Sequence, residues 1–276
     1  MGDHKRKSRN RQEILANECR CIYCANVPTC VEHMPHRDMF IEKRRPSGME
    51  FAACADCNNK TGVADLVAAF FARLGQGYTT DSTLITEARE RKAKLAQLAP
   101  GFLNEFFGGQ HQTRLLRDAL GIIKPYVTFH ANGPLAKAYL TVYAGKLGMA
   151  LYREHAGEPL PLSGGVHTAW YLNAGLSQQA GDAILSKMPI YGSVKQGGFF
   201  LPEQFGYRFN TDGKSIIAAL IGFHSNLHIF TLATSDQQFF KLPPISATAD
   251  FVRPGELVNR VPQIIKPKPA ALAASA

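Results

Sequence analysis

Hydrophobic positions change their period several times along this chain, and the changes divide it. Near the N-terminus apolar residues come in short bursts. Val31 to Met34, ended by Pro35, and Met49 to Ala53 are each long enough for one strand, with a charged loop from His36 to Pro46 between them. A short helix is expected from Cys54, interrupted at Gly62. From Val63 the period becomes helical: Val63, Leu66, Val67, Phe70, Phe71 and Leu74 fall on one face, and Gly75-Gln76-Gly77 stops the run. Asp81 and Ser82 cap a second, charge-rich helix to about Leu98, closed by Pro100-Gly101, and a third is expected over Gln112 to Ile123.

Pro134 opens the longest apolar helix, to about His155, and its apolar residues on nearly every side place it in a core. Gly145 and Gly148 inside it predict close packing against a neighbour. Beyond it Val166 to Leu172 reads as a strand holding the only tryptophan, Trp170, and Ser177 to Lys187 as a helix. Phe205, Tyr207 and Phe209 then alternate with polar or small residues, and Asp212-Gly213 marks a hairpin. Ile216 to Phe223 and, after His224-Ser225-Asn226, Leu227 to Ala233 complete an antiparallel meander packed on helices. The expected class is α+β. Its divisions are an arm over 1–18, a small module over 19–62, a helical linker region over 63–123, an α+β domain over 124–252 and a Pro/Ala-rich tail over 253–276.

Composition changes this picture in two ways. With 45% hydrophobic residues the chain can bury a sizeable core, which excludes a disordered protein. The net charge of +9 includes the run Lys5-Arg6-Lys7-Ser8-Arg9-Asn10-Arg11, so nucleic acid is the first partner to consider, beside the equal alternative of a solubilising or merely disordered basic arm, with homodimerisation left open. No apolar leader or run of 18 apolar residues is present, which gives the expectation of a cytoplasmic protein without a membrane partner.

All six cysteines fall in the first 57 residues, and a disulfide framework would staple more of the chain. Four of them form two Cys-x-x-Cys pairs, Cys21/Cys24 and Cys54/Cys57, separated by 29 residues. That spacing points to a tetrahedral zinc site. Cys19 could replace Cys21 or Cys24, although C-x-C suits a knuckle less well than C-x-x-C, and Cys30 reads as a bystander. Glu32 and His33 lie between the knuckles and Asn58 directly follows the last cysteine. These add an oxygen donor, an imidazole and an amide to the framework.

The order C-x-x-C, an acidic residue beside His with Pro soon after, then C-x-x-C-N resembles the zinc-stapled branch of the HNH endonucleases, similar to phage junction-resolving enzymes. The resemblance covers about residues 19–62. It implies a treble-clef, ββα-metal module in which Cys21, Cys24, Cys54 and Cys57 hold a structural zinc. His33 would be the general base, and Glu32 and Asn58 would hold a catalytic Mg²⁺ or Mn²⁺ for phosphodiester hydrolysis in DNA. The chemistry is coherent, because a hard cation stabilises charge on phosphate oxygens and histidine accepts a proton near neutral pH. Lys43, Arg44, Arg45 and Lys60 are candidate phosphate contacts. His36 could assist as a ligand, or could be an ordinary loop residue. The chain departs from the family where Gly48-Met49-Glu50-Phe51 offers no Asn and where Glu32 replaces Asp. Two rivals therefore stand beside the nuclease: a catalytically inactive zinc-dependent nucleic-acid-binding protein, and a zinc-stabilised structural or signalling protein.

Overall fold

The computed structural model describes residues 11–74, 80–108, 112–117, 121–128, 131–172, 178–196 and 198–263. Most of the basic run, Gly75 to Gly77, Ser177 and the end of the tail lie outside the described residues. After a first helix α1 over 11–17, strand β1 (Cys30–His33) pairs antiparallel with β2 (Glu50–Ala53), Cys30 opposite Ala53 and His33 opposite Glu50. Cys54 caps α2 (Ala55–Ala72) by accepting the Cys57 N–H on its sulfur.

The helix α2 corrects the sequence reading at Gly62, which does not interrupt it. A glycine in a helix interior costs only about 0.5–1 kcal/mol relative to alanine. Burial of Leu66, Val67, Phe70 and Phe71 farther along the same helix outweighs that. Helix α3 (Ser82–Leu98) starts where expected, with the Asp81 carboxylate accepting the Thr83 and Leu84 N–H groups. Helix α4 (Phe102–Gly108) had no sequence signal. It is held by Phe102 and Phe106, whose rings meet Phe70 and Phe71 edge-on at 5.3 to 5.7 Å.

A second correction falls on Gln112 to Ile123, expected as a helix. Strands β3 (Gln112–Arg117) and β4 (Ile123–Thr128) form a hairpin there instead. Leu115 is exposed and so does not mark a helical core face, and Gly121, at φ 81, takes a left-handed conformation before β4.

Helix α5 (Pro134–Ala156) runs to a left-handed Gly157 (φ 82). It packs against α2 and across a six-stranded sheet. That sheet has the order β12-β5-β11-β10-β9-β6, with every pair antiparallel. Its members are β5 (Gly165–Leu172), β6 (Ile190–Gly192), β9 (Gly206–Thr211), β10 (Ile216–Phe223), β11 (Leu227–Thr234) and β12 (Asp250–Val252). Helix α6 (Gln178–Lys187) and a small hairpin of β7 (Lys195–Gln196) and β8 (Phe199–Phe200) lie toward the β6 edge. The meander is as expected. The start of the tail is not loose: α7 (Leu257–Arg260) buries Leu257 against α2 and α5. One continuous core runs from Ile22 and Tyr23 through Phe71 and Tyr143 to Ile229 and Leu257.

Both glycines of α5 sit at close approaches. A Cβ on Gly145 would lie 3.0 Å from Leu257 Cδ2, and one on Gly148 would overlap Val166 Cγ1. Gly148→Ala is therefore expected to destabilise the protein by about 1–3 kcal/mol through overpacking. Gly62→Ala, whose methyl meets no atom, should stabilise it by about 0.5–1 kcal/mol. Urea midpoints at constant m-value read both.

Candidate metal centre and its surroundings

Cys21, Cys24, Cys54 and Cys57 come together as four buried thiols whose sulfurs all lie within 4.8 Å of one another. Sulfur–metal bonds of about 2.3 Å place the corners of a tetrahedron about 3.8 Å apart. Cys24 Sγ stands 3.7 Å from Cys54 Sγ and 3.5 Å from Cys57 Sγ, so the set fits a four-coordinate ion. Each knuckle turns backbone donors toward its sulfurs: Tyr23 N–H to Cys21 (3.3 Å), Asn26 N–H to Cys24 (3.4 Å) and Cys57 N–H to Cys54 (3.4 Å). A hydrogen bond with the Cys57 thiol holds Cys21 down to about 5, whereas burial pushes Cys24 up to about 11 and Cys57 is raised first by that same bond. Four thiols this close cannot all ionise without a cation among them. Among the described residues this is the one group of three or more His, Cys, Asp or Glu side chains arranged for a metal. Cys19 is exposed, and Cys30 gives its thiol hydrogen to Ala53 O.

The three residues expected to share a second ion are engaged separately. Glu32, 2% exposed, points into the core toward Lys146 of α5, with Oε2 3.5 Å from Nζ. The same ammonium lies 2.7 Å from both carboxylate oxygens of Asp65, on α2. Lys146 is wholly buried and faces the ring of Tyr23 at 5.7 Å. Burial pushes Glu32 up to about 7 against the pull of Lys146, and Lys146 is itself raised because its two carboxylates outweigh desolvation. The cation that Glu32 faces is thus Lys146.

His33, the next residue on the strand, faces the other way, as strand alternation requires. Its Nδ1 lies 3.6 Å from Glu50 Oε1, its cross-strand partner, and His33 holds the Glu50 carboxyl below its ordinary range. Asn58 gives its side-chain N–H to Cys30 Sγ at 3.3 Å. His36 accepts the Asp38 N–H on Nδ1, and burial lowers its pKa.

The basic candidates also separate. Arg45 is a strut, with a side chain 3% exposed that donates to the carbonyls of Met34, Pro35, Pro46, Gly48 and Met49. It is closed to phosphate. Lys43, Arg44 and Lys60 are exposed, and Arg44 and Lys60 pair with Glu42 at 3.1 Å and Asp56 at 2.7 Å. Sequence reasoning missed Lys146, Asp65 and Glu50. Glu50 alone had a signal, as the polar residue entering the return strand opposite His33.

Comparison with protein-family models, with curated proteins and with solved structures returned no match. No helix among the described residues is long and apolar enough to cross a membrane.

Replacing Lys146 with Met keeps the volume but leaves two buried carboxylates without their cation. The expected loss is about 3–5 kcal/mol, measured by denaturation of the metal-loaded protein. Lys146→Met combined with Glu32→Gln and Asp65→Asn should recover most of it.

Proposed function

We propose that this chain is a zinc-stapled, HNH-like nucleic-acid-binding protein that does not cut its ligand. The order of hairpin, knuckles and helix supports a treble-clef reading of the module. A closed set of four soft thiolates favours zinc over magnesium and leaves no open position for a reacting water. The net charge of +9, with Lys43, Arg44 and Lys60 exposed around the module, supports a polyanionic partner. One observation carries the inactive reading: Glu32 spends its charge on Lys146, 3.5 Å away in the core, rather than on a divalent ion open to substrate.

One feature favours hydrolysis instead. Glu50 is placed to orient His33 through Nδ1, an arrangement that suits a general base. In that reading Mg²⁺ or Mn²⁺ would be held by Asn58 and the phosphate, with little help from Glu32. Incubation with plasmid and either cation separates the two. The expected outcome is retention of DNA, with affinity falling steeply as salt rises, and no nicking. Nicking that disappears in His33→Ala, with zinc content unchanged, would establish the nuclease.

Elemental analysis should find one zinc per chain in the purified protein. Cys57→Ser should lose it and most of the stability of the module, a loss on the order of 10 kcal/mol in apparent binding free energy.

A further inference from the structure

We propose that the small pocket between α2, α3 and the loop after β1 binds a phosphoryl oxyanion, with Arg91 as its anchoring cation. This goes beyond the nucleic-acid reading, because free phosphate and a nucleic-acid phosphate offer the same chemistry. The pocket is lined by Lys43, Arg73, Glu87, Arg91 and Lys94, with Leu66 at its wall and Asp38 and Glu90 beside them. Its volume is about 20 Å³. That is room for one water-sized group, so one oxygen of a tetrahedral anion enters and the others stay at the mouth.

Arg91 is 7% exposed, yet it makes no hydrogen bond or ion pair with any described residue. The other buried arginines are satisfied: Arg45 by carbonyls, and Arg73 by Phe40 O and Glu87. The carboxylate nearest to serving Arg91 is already committed. Glu87 accepts the Glu42 N–H on one oxygen (2.9 Å) and Arg73 on the other. Asp38 lies 3.9 Å from Lys43 Nζ, and Glu90 is exposed. Burial, and then the charge of Arg73, lower Arg91 to about 10 against the attraction of Glu87 and Asp38, so it remains a cation at neutral pH. Its nitrogens open on the pocket rather than being sealed in the core, and an oxyanion entering there can take the forked N–H groups that no described residue accepts.

The rim argues for phosphate over a carboxylate. Lys43 and Lys94 are both exposed at the mouth, on different elements from each other, so cations approach from more than one direction. A tetrahedral anion has oxygens for each of them, whereas a planar carboxylate would be spent on Arg91 alone.

The test is calorimetric titration of the zinc-loaded full chain with inorganic phosphate, and separately with a DNA oligonucleotide, using wild type, Arg91→Gln and Lys94→Gln. Phosphate should bind the wild type, with affinity falling about tenfold or more in Arg91→Gln and less in Lys94→Gln. If nucleic acid supplies the phosphate, oligonucleotide affinity should fall as well, with a salt slope reduced by about one contact. In phosphate-free buffer Arg91→Gln should be about as stable as wild type, because Arg91 gives up no hydrogen bond to a described residue. A merely structural arginine would instead cost stability. Loss of oligonucleotide binding alone, with phosphate still bound, would sink the nucleic-acid reading and leave this site standing. No phosphate heat in the wild type, together with oligonucleotide binding unchanged in Arg91→Gln, would overturn the site.

Discussion

An ammonium group with no water around it must find its compensation in the protein, and Lys146 finds it in two carboxylates from another part of the chain. Asp65 grips it through both oxygens and Glu32 stands just beyond hydrogen-bonding contact. Because Glu32 is on β1, Asp65 on α2 and Lys146 on α5, the interaction fixes the knuckle module to the helix that carries the large sheet. The four sulfurs gather the 21–24 turn against the N-terminal end of α2. A buried ion pair of this kind contributes little net stability against an apolar alternative, but breaking it is expensive, so it selects one packing over others.

The same interaction bears on the chemistry proposed for the module. A divalent cation at a phosphodiester needs oxygen donors facing solvent, and the carboxylate best placed by sequence faces the core. Strand alternation sends His33 to the opposite side, where Glu50 is its neighbour. What remains outside is a set of exposed basic side chains and, between α2 and α3, the buried guanidinium of Arg91. These features are the ones the proposed binding of anions rests on.

The local signals in the sequence were readable because local physics produces them. C-x-x-C spacing brings two sulfurs to one turn, Asp81 caps the helix that begins at Ser82, and the β9 to β11 meander shows its alternation and its Asp212-Gly213 turn. The expected partnership of Glu32 with Asn58 failed to surface because its competitor lies far along the chain. Lys146 is 81 residues from Asp65 and sits in an apolar helix where no pattern advertises a charge. Arg45 read as a phosphate contact among Lys43 and Arg44, but five carbonyls around its loop claim it, and only the folded backbone converges them. The hairpin at Gln112 to Thr128 escaped because paired leucines suit either period, and the cross-strand partner of each residue lay beyond the window of pattern.

The chemistry of the module turns on whether Lys146 is the cation of Glu32. Electron paramagnetic resonance of Mn²⁺ titrated into the zinc-loaded protein reads this most directly. With Glu32 held by Lys146, the signal should remain that of free aqueous Mn²⁺ through one equivalent. A bound Mn²⁺ signal in the wild type that vanishes in Glu32→Gln would contradict it.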